Sequence, residues 1–207
     1  MIRPRLSKSV PGLARAVEFD PRGRVFLRGI SINDVNEYIA LRRRTHAFLK
    51  PWEPKPPRGI DFNGQSGFQR MLKGRRSPSC RRFFVCRADD GCIMGSIGLN
   101  QIFRGPFQSC VMGYWIGKEF TRQGYMREAV LLALRHAFHA LKLHRVEANI
   151  VPDNHASLAL IRSCGFRFEG LAKNYLQING RWRDHEHWAM TLEDWIAPRM
   201  RKLRRVP

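Results

Sequence analysis

The sequence predicts an α+β fold: a mixed, twisted sheet of six to seven strands flanked by helices. Three observations carry this. Apolar runs of strand length alternate with helical periodicity in the order strand, helices, three strands, helix, strand, helix, two strands. Turn signals at Asp89-Asp90-Gly91 and Asn179-Gly180 separate consecutive strands and mark antiparallel hairpins. Between residues 116 and 145 a long helical segment separates two strands, which is the spacing of a crossover, so parallel pairing must enter the same sheet.

Each element follows from its residues. Residues 24–30 (RVFLRGI) alternate as a strand does. Asn33 or Asp34 can cap a helix running to about Arg44. AFLKPWEPKPPRG (47–59) holds four prolines and reads as a loop. A helix over 62–73 precedes strands at 82–88, 92–101 and 109–116. Residues 126–141 form the clearest helix: Val130, Leu134, Ala137, Phe138 and Leu141 recur at helical spacing on one stripe. A buried-looking strand over 145–151 leads to a short helix from Asn154 to Ser163, closed by Gly165. Residues 166–178 and 182–192 are the last strands. Residues 1–22 read as a basic, Pro- and Gly-punctuated arm, 23–196 as the folded domain, and 197–207 as a basic, frayed tail.

Composition bounds the function. A chain of 207 residues with 43% hydrophobic side chains supports one domain with a real core. The longest aliphatic run, 129–134, is far short of a membrane span, and no membrane partner is expected. The first residues lack the apolar run of a secretory signal, and Pro4, Pro11 and Pro21 break up any amphipathic presequence helix, so the expected location is cytoplasmic. Cys80, Cys86, Cys92, Cys110 and Cys164 are odd in number and lack metal-ligand spacing, so they read as free thiols and no metal site is expected. The net charge of +20 favours anionic partners: nucleic acid, a nucleotide-like cofactor or a membrane surface.

Two strand-to-helix junctions stand out. In the first, Tyr114, Trp115 and Ile116 end a strand, and Arg122, Gln123, Gly124, Tyr125 and Met126 form a loop opening directly into the long helix. Backbone N–H groups at a helix start bind phosphate, and glycine lets the backbone approach closely. The spacing fits neither a Walker loop nor a dinucleotide fingerprint. Taken alone, one glycine before a helix is equally an ordinary turn. In the second, Pro152-Asp153-Asn154-His155-Ala156-Ser157 opens the short helix. Asn154 there is a helix cap or a ligand, and Ser157 a first-turn residue or a reactive hydroxyl.

Together these pieces resemble the GNAT acyl-CoA N-acyltransferases, and more closely the Rim-type ribosomal-protein alanine N-acetyltransferases. The resemblance rests on AFLKPWEP (47–54), MGYWIGKEF and GYMREA (within 112–129), HRVEANIVPDN with Ser157 (144–157), CGFRFEG (164–170) and YLQINGRWRDH (175–185), and it covers nearly all of residues 24–195. It implies a sheet that splays open in its middle, with acetyl-CoA in the splay. The pyrophosphate would sit on the 122–126 loop and the pantetheine along the edge of Tyr114, Trp115 and Ile116, with Asn154 bonding its side. The implied acceptor is the N-terminal alanine of a ribosomal protein. A small-molecule amine, or RNA bound by a basic protein on the same scaffold, is the alternative. Two departures stand out. Thr121 and Met126 replace the family's usual loop residues, and Ile161 stands where many relatives carry a tyrosine acid, which passes that role to Ser157 or to solvent.

The implied chemistry is attack of an amine on a thioester. It calls for a base, for N–H groups facing the carbonyl oxygen and for a donor to the departing sulfur. Glu53 in the proline-rich loop is the expected base, with Asp184 and Glu147 as the other candidates. The basic surface, including the acid-free stretch from Arg70 to Arg87, is expected to face ribosomal RNA or the phosphates of the cofactor.

Overall fold

The computed structural model describes residues 10–74 and 77–203, with side chains described as far as residue 197. Eight strands form one sheet: β1 Ala16–Phe19, β2 Val25–Gly29, β3 Arg81–Arg87, β4 Ile93–Phe103, β5 Ser109–Ile116, β6 Arg145–Ile150, β7 Arg167–Ile178 and β8 Arg181–Thr191. The helices are α1 Val35–Leu49, α2 Gln65–Gly74, α3 Tyr125–Arg135, α4 His155–Cys164 and α5 Leu192–Leu203. Among the described residues the strand order is β1-β2-β3-β4-β5-β6-β8-β7, and only the β5–β6 pair is parallel. No described helix is long and apolar enough to cross a membrane.

Strand alternation builds two cores. Val25, Leu27, Val85, Ile97, Val146 and Ala148 face α3 and α4. Phe26, Phe84, Cys86 and Ile93 face α1 and α2 and pack on Tyr38, Leu41 and Phe68. With both faces covered, β2, β3 and β4 are buried in unbroken runs. All five cysteines are free, and all but Cys92 are buried.

The sheet has more strands than the sequence suggested, and the extra one comes from the segment read as an arm. Ala16–Phe19 pairs antiparallel with β2, and Glu18 anchors it through Arg135 and His136. The loop expected over 47–59 also starts later. Tyr38, Leu41, Arg42, Thr45 and Leu49 keep a buried helical stripe going, so α1 continues to Leu49, and the first proline ends it one 3-10 turn later at Lys50–Trp52. Nor is the segment over 126–141 one α-helix. After Arg135 it widens into a π-helical turn, His136–Ala140, in which Leu141 N donates to His136 O.

The expected tail is helical as well, with α5 running through Leu203. Thr191-Leu192-Glu193-Asp194 forms a capping box: Asp194 N donates to Thr191 Oγ1, and Thr191 N donates to Asp194 Oδ2. Residues 1–9 of the expected arm and 204–207 of the expected tail lie outside the described residues.

A buried ion pair ties the sheet to α1. Arg28 of β2 donates to Asp34 Oδ2 at 2.8 Å, and Ser31 N donates to the same oxygen at 2.7 Å. Both charged side chains are almost fully buried. Removing one partner leaves the other charge stranded. Asp34→Ala should therefore destabilise the fold by about 3–5 kcal/mol, read as a lowered midpoint in urea unfolding.

Candidate active site

The site begins where β5 and β6 part. They pair only at Ser109↔Arg145, Cys110↔Val146 and Val111↔Glu147. Beyond that, β6 continues on β8 and β5 continues on β4. The stretch from Met112 to Ile116 therefore has no strand on its β6 side. Such an edge can hydrogen-bond an extended ligand.

On the α3 face, β5 runs through the 3-10 turn Lys118–Phe120 into the loop ahead of α3. Arg122 (φ 60°) and Gly124 (φ 82°) both take left-handed backbone, and Gly124 caps α3. Among the described residues, nothing accepts the N–H groups of Arg122, Gln123 and Gly124. Three successive free donors at a helix start form a site for a phosphate. The Gln123 side chain folds back onto Glu119 O at 2.8 Å, so its main chain is what faces outward. Met126 is buried in the core and also offers only its backbone.

One cation beside this loop escapes sequence reasoning. Arg24 lies over the Tyr125 ring at 5.0 Å and is held by Glu128. A side-chain carbon added at Gly124 would come within 2.9 Å of the Arg24 guanidinium. Nothing in the β2 sequence marks Arg24 as different from its neighbours.

α4 starts across the gap. Asn154 Oδ1 accepts from Ser157 N at 3.1 Å, so the asparagine does cap this helix. Ile161 is packed in the core and supplies no acid. The Tyr114 hydroxyl is buried and has no hydrogen bond of good geometry. Burial raises its pKa, and the nearby Ser157 side chain partly opposes that shift. Tyr114 and Ser157 thus meet at the gap. The Trp115 ring points to the opposite face, where Arg42 stacks on it at 4.9 Å.

On that opposite face lies a cavity of about 240 Å³. Arg82, Ser96, Asn100, Gly113 and Trp115 form its floor, and Leu49, Trp52, Glu53 and Met71 form its roof. Arg42 grips Glu53 with two bonds, 2.7 and 2.8 Å. Asn179 N, at the tip of the β7–β8 hairpin, donates to Glu53 O at 2.9 Å and closes one side. The other two carboxylates singled out from sequence are engaged too. Asp184 accepts from Lys173 and from Asn174 N, which hold its pKa below the usual carboxylate value. Glu147 accepts from Arg145. A larger groove of about 820 Å³ runs along α3 toward Trp195 and contains none of these residues. His185 and His187 share one sheet face, with the Tyr175 ring against both. Among the described residues no cluster of three or more His, Cys, Asp or Glu could hold a metal.

Comparison with known proteins agrees with this geometry. The family model of the acetyltransferase (GNAT) domain matches residues 24–167. A ribosomal protein uS5-alanine N-acetyltransferase of Escherichia coli is 36% identical over 167 residues, covering 79% of this chain and 84% of that protein. The structure of Mycobacterium smegmatis RimJ in complex with CoA-disulfide superposes with a TM-score of 0.76 at 32% identity, covering 82% of this chain and 83% of that one. A ribosomal-protein-S5-alanine acetyltransferase from Vibrio fischeri gives the same TM-score at 31% identity, over 86% and 98%.

The chain belongs to the GNAT acetyltransferase family. It is an acetyl-CoA-dependent N-acetyltransferase, similar to the Rim-type branch. The free β5 edge and the donors of the 122–124 loop suit an extended thioester with a pyrophosphate.

Gly124 tests the loop. Left-handed backbone costs any other L-residue about 1–2 kcal/mol. The added methyl also presses on Arg24 beside the loop, so Gly124→Ala should weaken CoA binding by roughly tenfold, measured by calorimetry, and should lower the urea midpoint as well.

Proposed function

We propose that this enzyme acetylates the N-terminal α-amine of a ribosomal protein, with alanine as the first residue. The observation that carries this is the cavity opposite the cofactor loop. Trp52 and Glu53 of the AFLKPWEP segment line it, together with Gly113, Tyr114 and Trp115 of the β5 edge that β6 leaves unpaired. The likeness to ribosomal-protein alanine acetyltransferases supports the choice of acceptor. The net charge of +20 favours approach to a ribonucleoprotein through the basic surface and fits work in the cytoplasm beside ribosomes.

The residues divide the work by face. The N–H groups of Arg122, Gln123 and Gly124 hold the pyrophosphate, with Arg24 and Arg122 adding charge. The main chain of Tyr114, Trp115 and Ile116 aligns the pantetheine, and Asn154 flanks it from α4. Acetyl-CoA supplies an activated acetyl thioester at the gap. Glu53, with both oxygens braced by Arg42, holds the incoming ammonium rather than taking its proton. Ser157 donates to the departing sulfur, helped by the positive end of α4.

Ser157→Ala should lower kcat by about ten- to a thousand-fold and leave KM for acetyl-CoA little changed. Helix α4 should persist in the variant, because the Asn154 cap accepts from the main-chain N–H of that residue, which alanine keeps. A kcat within about twofold of the parent, with chemistry rate-limiting, would leave Ser157 a helix-start residue only.

The acceptor itself is tested by mass spectrometry of ribosomal-protein N-termini with and without the gene. One N-terminus losing 42 Da when the gene is deleted, roughly the mass of an acetyl group, identifies the target. Unchanged N-termini throughout would refute a ribosomal-protein acceptor.

A further inference from the structure

On the acceptor side of the gap, each carboxylate considered as a base already has a cation: Arg42 on Glu53, Lys173 on Asp184 and Arg145 on Glu147. A different group on that side is uncommitted. Asn149 lies on β6 two residues past Glu147, the last residue paired with β5, and so borders the gap. Val146 and Ala148 point into the core beneath α3. Alternation therefore turns Asn149 to the face shared by Gly113 and Trp115. His187 of β8 stands directly opposite Asn149 in the antiparallel ladder and faces the same way.

Three side chains meet there. Asn149 Nδ2 donates to the Tyr175 hydroxyl at 3.2 Å, and the Tyr175 and His187 rings meet edge to face, 4.6 Å between centroids. Two atoms are left over. Asn149 Oδ1 and His187 Nε2 are both buried, and neither has a hydrogen-bond partner. Buried polar atoms are paired in the great majority of cases, and an exception calls for a reason, a catalytic role among them. A carbonyl acceptor and an imidazole nitrogen on directly opposed residues of one sheet face suit an incoming N–H group.

We propose that His187 is the base that takes the proton from the acceptor amine, with Asn149 orienting the same nitrogen. This rests on the amine entering by the face described above. The α-ammonium gives one proton to Nε2 of His187, which passes it to solvent. The freed lone pair forms the C–N bond as the C–S bond breaks. Sulfur leaves with the bonding pair and receives a proton from Ser157 or water, while the second nitrogen proton leaves to solvent. The titratable groups beside His187 are His185 on its own strand and Tyr175 on β7, whose ring packs against both histidines.

Initial rates for the full chain and for His187→Gln, over about pH 5 to 9, test this with two acceptors: a peptide beginning with alanine, and spermidine. Glutamine keeps the size and polarity and cannot act as base. His187→Gln should lower kcat by about 10²- to 10³-fold and leave CoA affinity unchanged. Its acid limb should move up toward that of a free α-amine, about 8. Added imidazole should restore part of the activity of His187→Ala.

If His187→Gln keeps kcat within about threefold with an unmoved acid limb, the proposal fails. It also fails if activity is lost with neither a shifted limb nor an imidazole response, since that is what a purely structural role gives. Turnover of spermidine alone would overturn the peptide acceptor and still test His187, because either amine must lose the same proton.

Discussion

Everything the enzyme does hangs on a pairing that stops early. β5 and β6 share three residue pairs and then separate, each keeping its other neighbour. Had they stayed together, Met112 to Ile116 would be an interior strand segment with its backbone spent. Because they part, one sheet offers an unpaired edge in its middle, flanked by helices on both faces. The unpaired N–H groups of the 122–124 loop lie on the α3 side, and the cavity beneath Trp52 and Glu53 lies on the α1 side.

The surroundings keep this opening in shape with charge. Arg28 and Asp34 fix the start of α1 to β2, and at its middle Arg42 holds Glu53 over the cavity. The hairpin tip at Asn179 locks onto the same loop. In a chain with 37 basic and 17 acidic side chains, a carboxylate near the site readily finds a cation. The acids that motif reading singles out are therefore structural partners first.

Much of this was legible in the sequence. The order of elements, the crossover through α3, the loop at Gly124 and the junction at Asn154 follow from periodicity, turn chemistry and capping. What escaped depends on distant neighbours. The edge strand Ala16–Phe19 is short and lies in a proline-rich, basic stretch, and only its pairing with β2 makes it a strand. α1 outlasts its expected end because buried side chains from Tyr38 to Leu49 outweigh the approaching prolines. The capping box at Thr191 was readable and was masked by the apolar run before it. Arg24 beside the loop, the Arg42–Glu53 pair, and the meeting of Asn149 with Tyr175 and His187 join residues separated by 11 to about 100 positions. No local pattern announces such contacts. The alternation of His185 and His187 was visible, but not which atom would be left unpaired.

The cysteines have a consequence for an enzyme whose product is itself a thiol. Burial pushes the thiols of Cys86 and Cys110 up to about 12. At neutral pH only about one in 10⁵ of such groups is ionised, and the thiolate is the form that attacks a disulfide. The molecule can release CoA turnover after turnover, and meet CoA disulfides, while these two sulfurs stay out of the exchange. At these two positions the fold withholds a nucleophile from the disulfides that its own product can form.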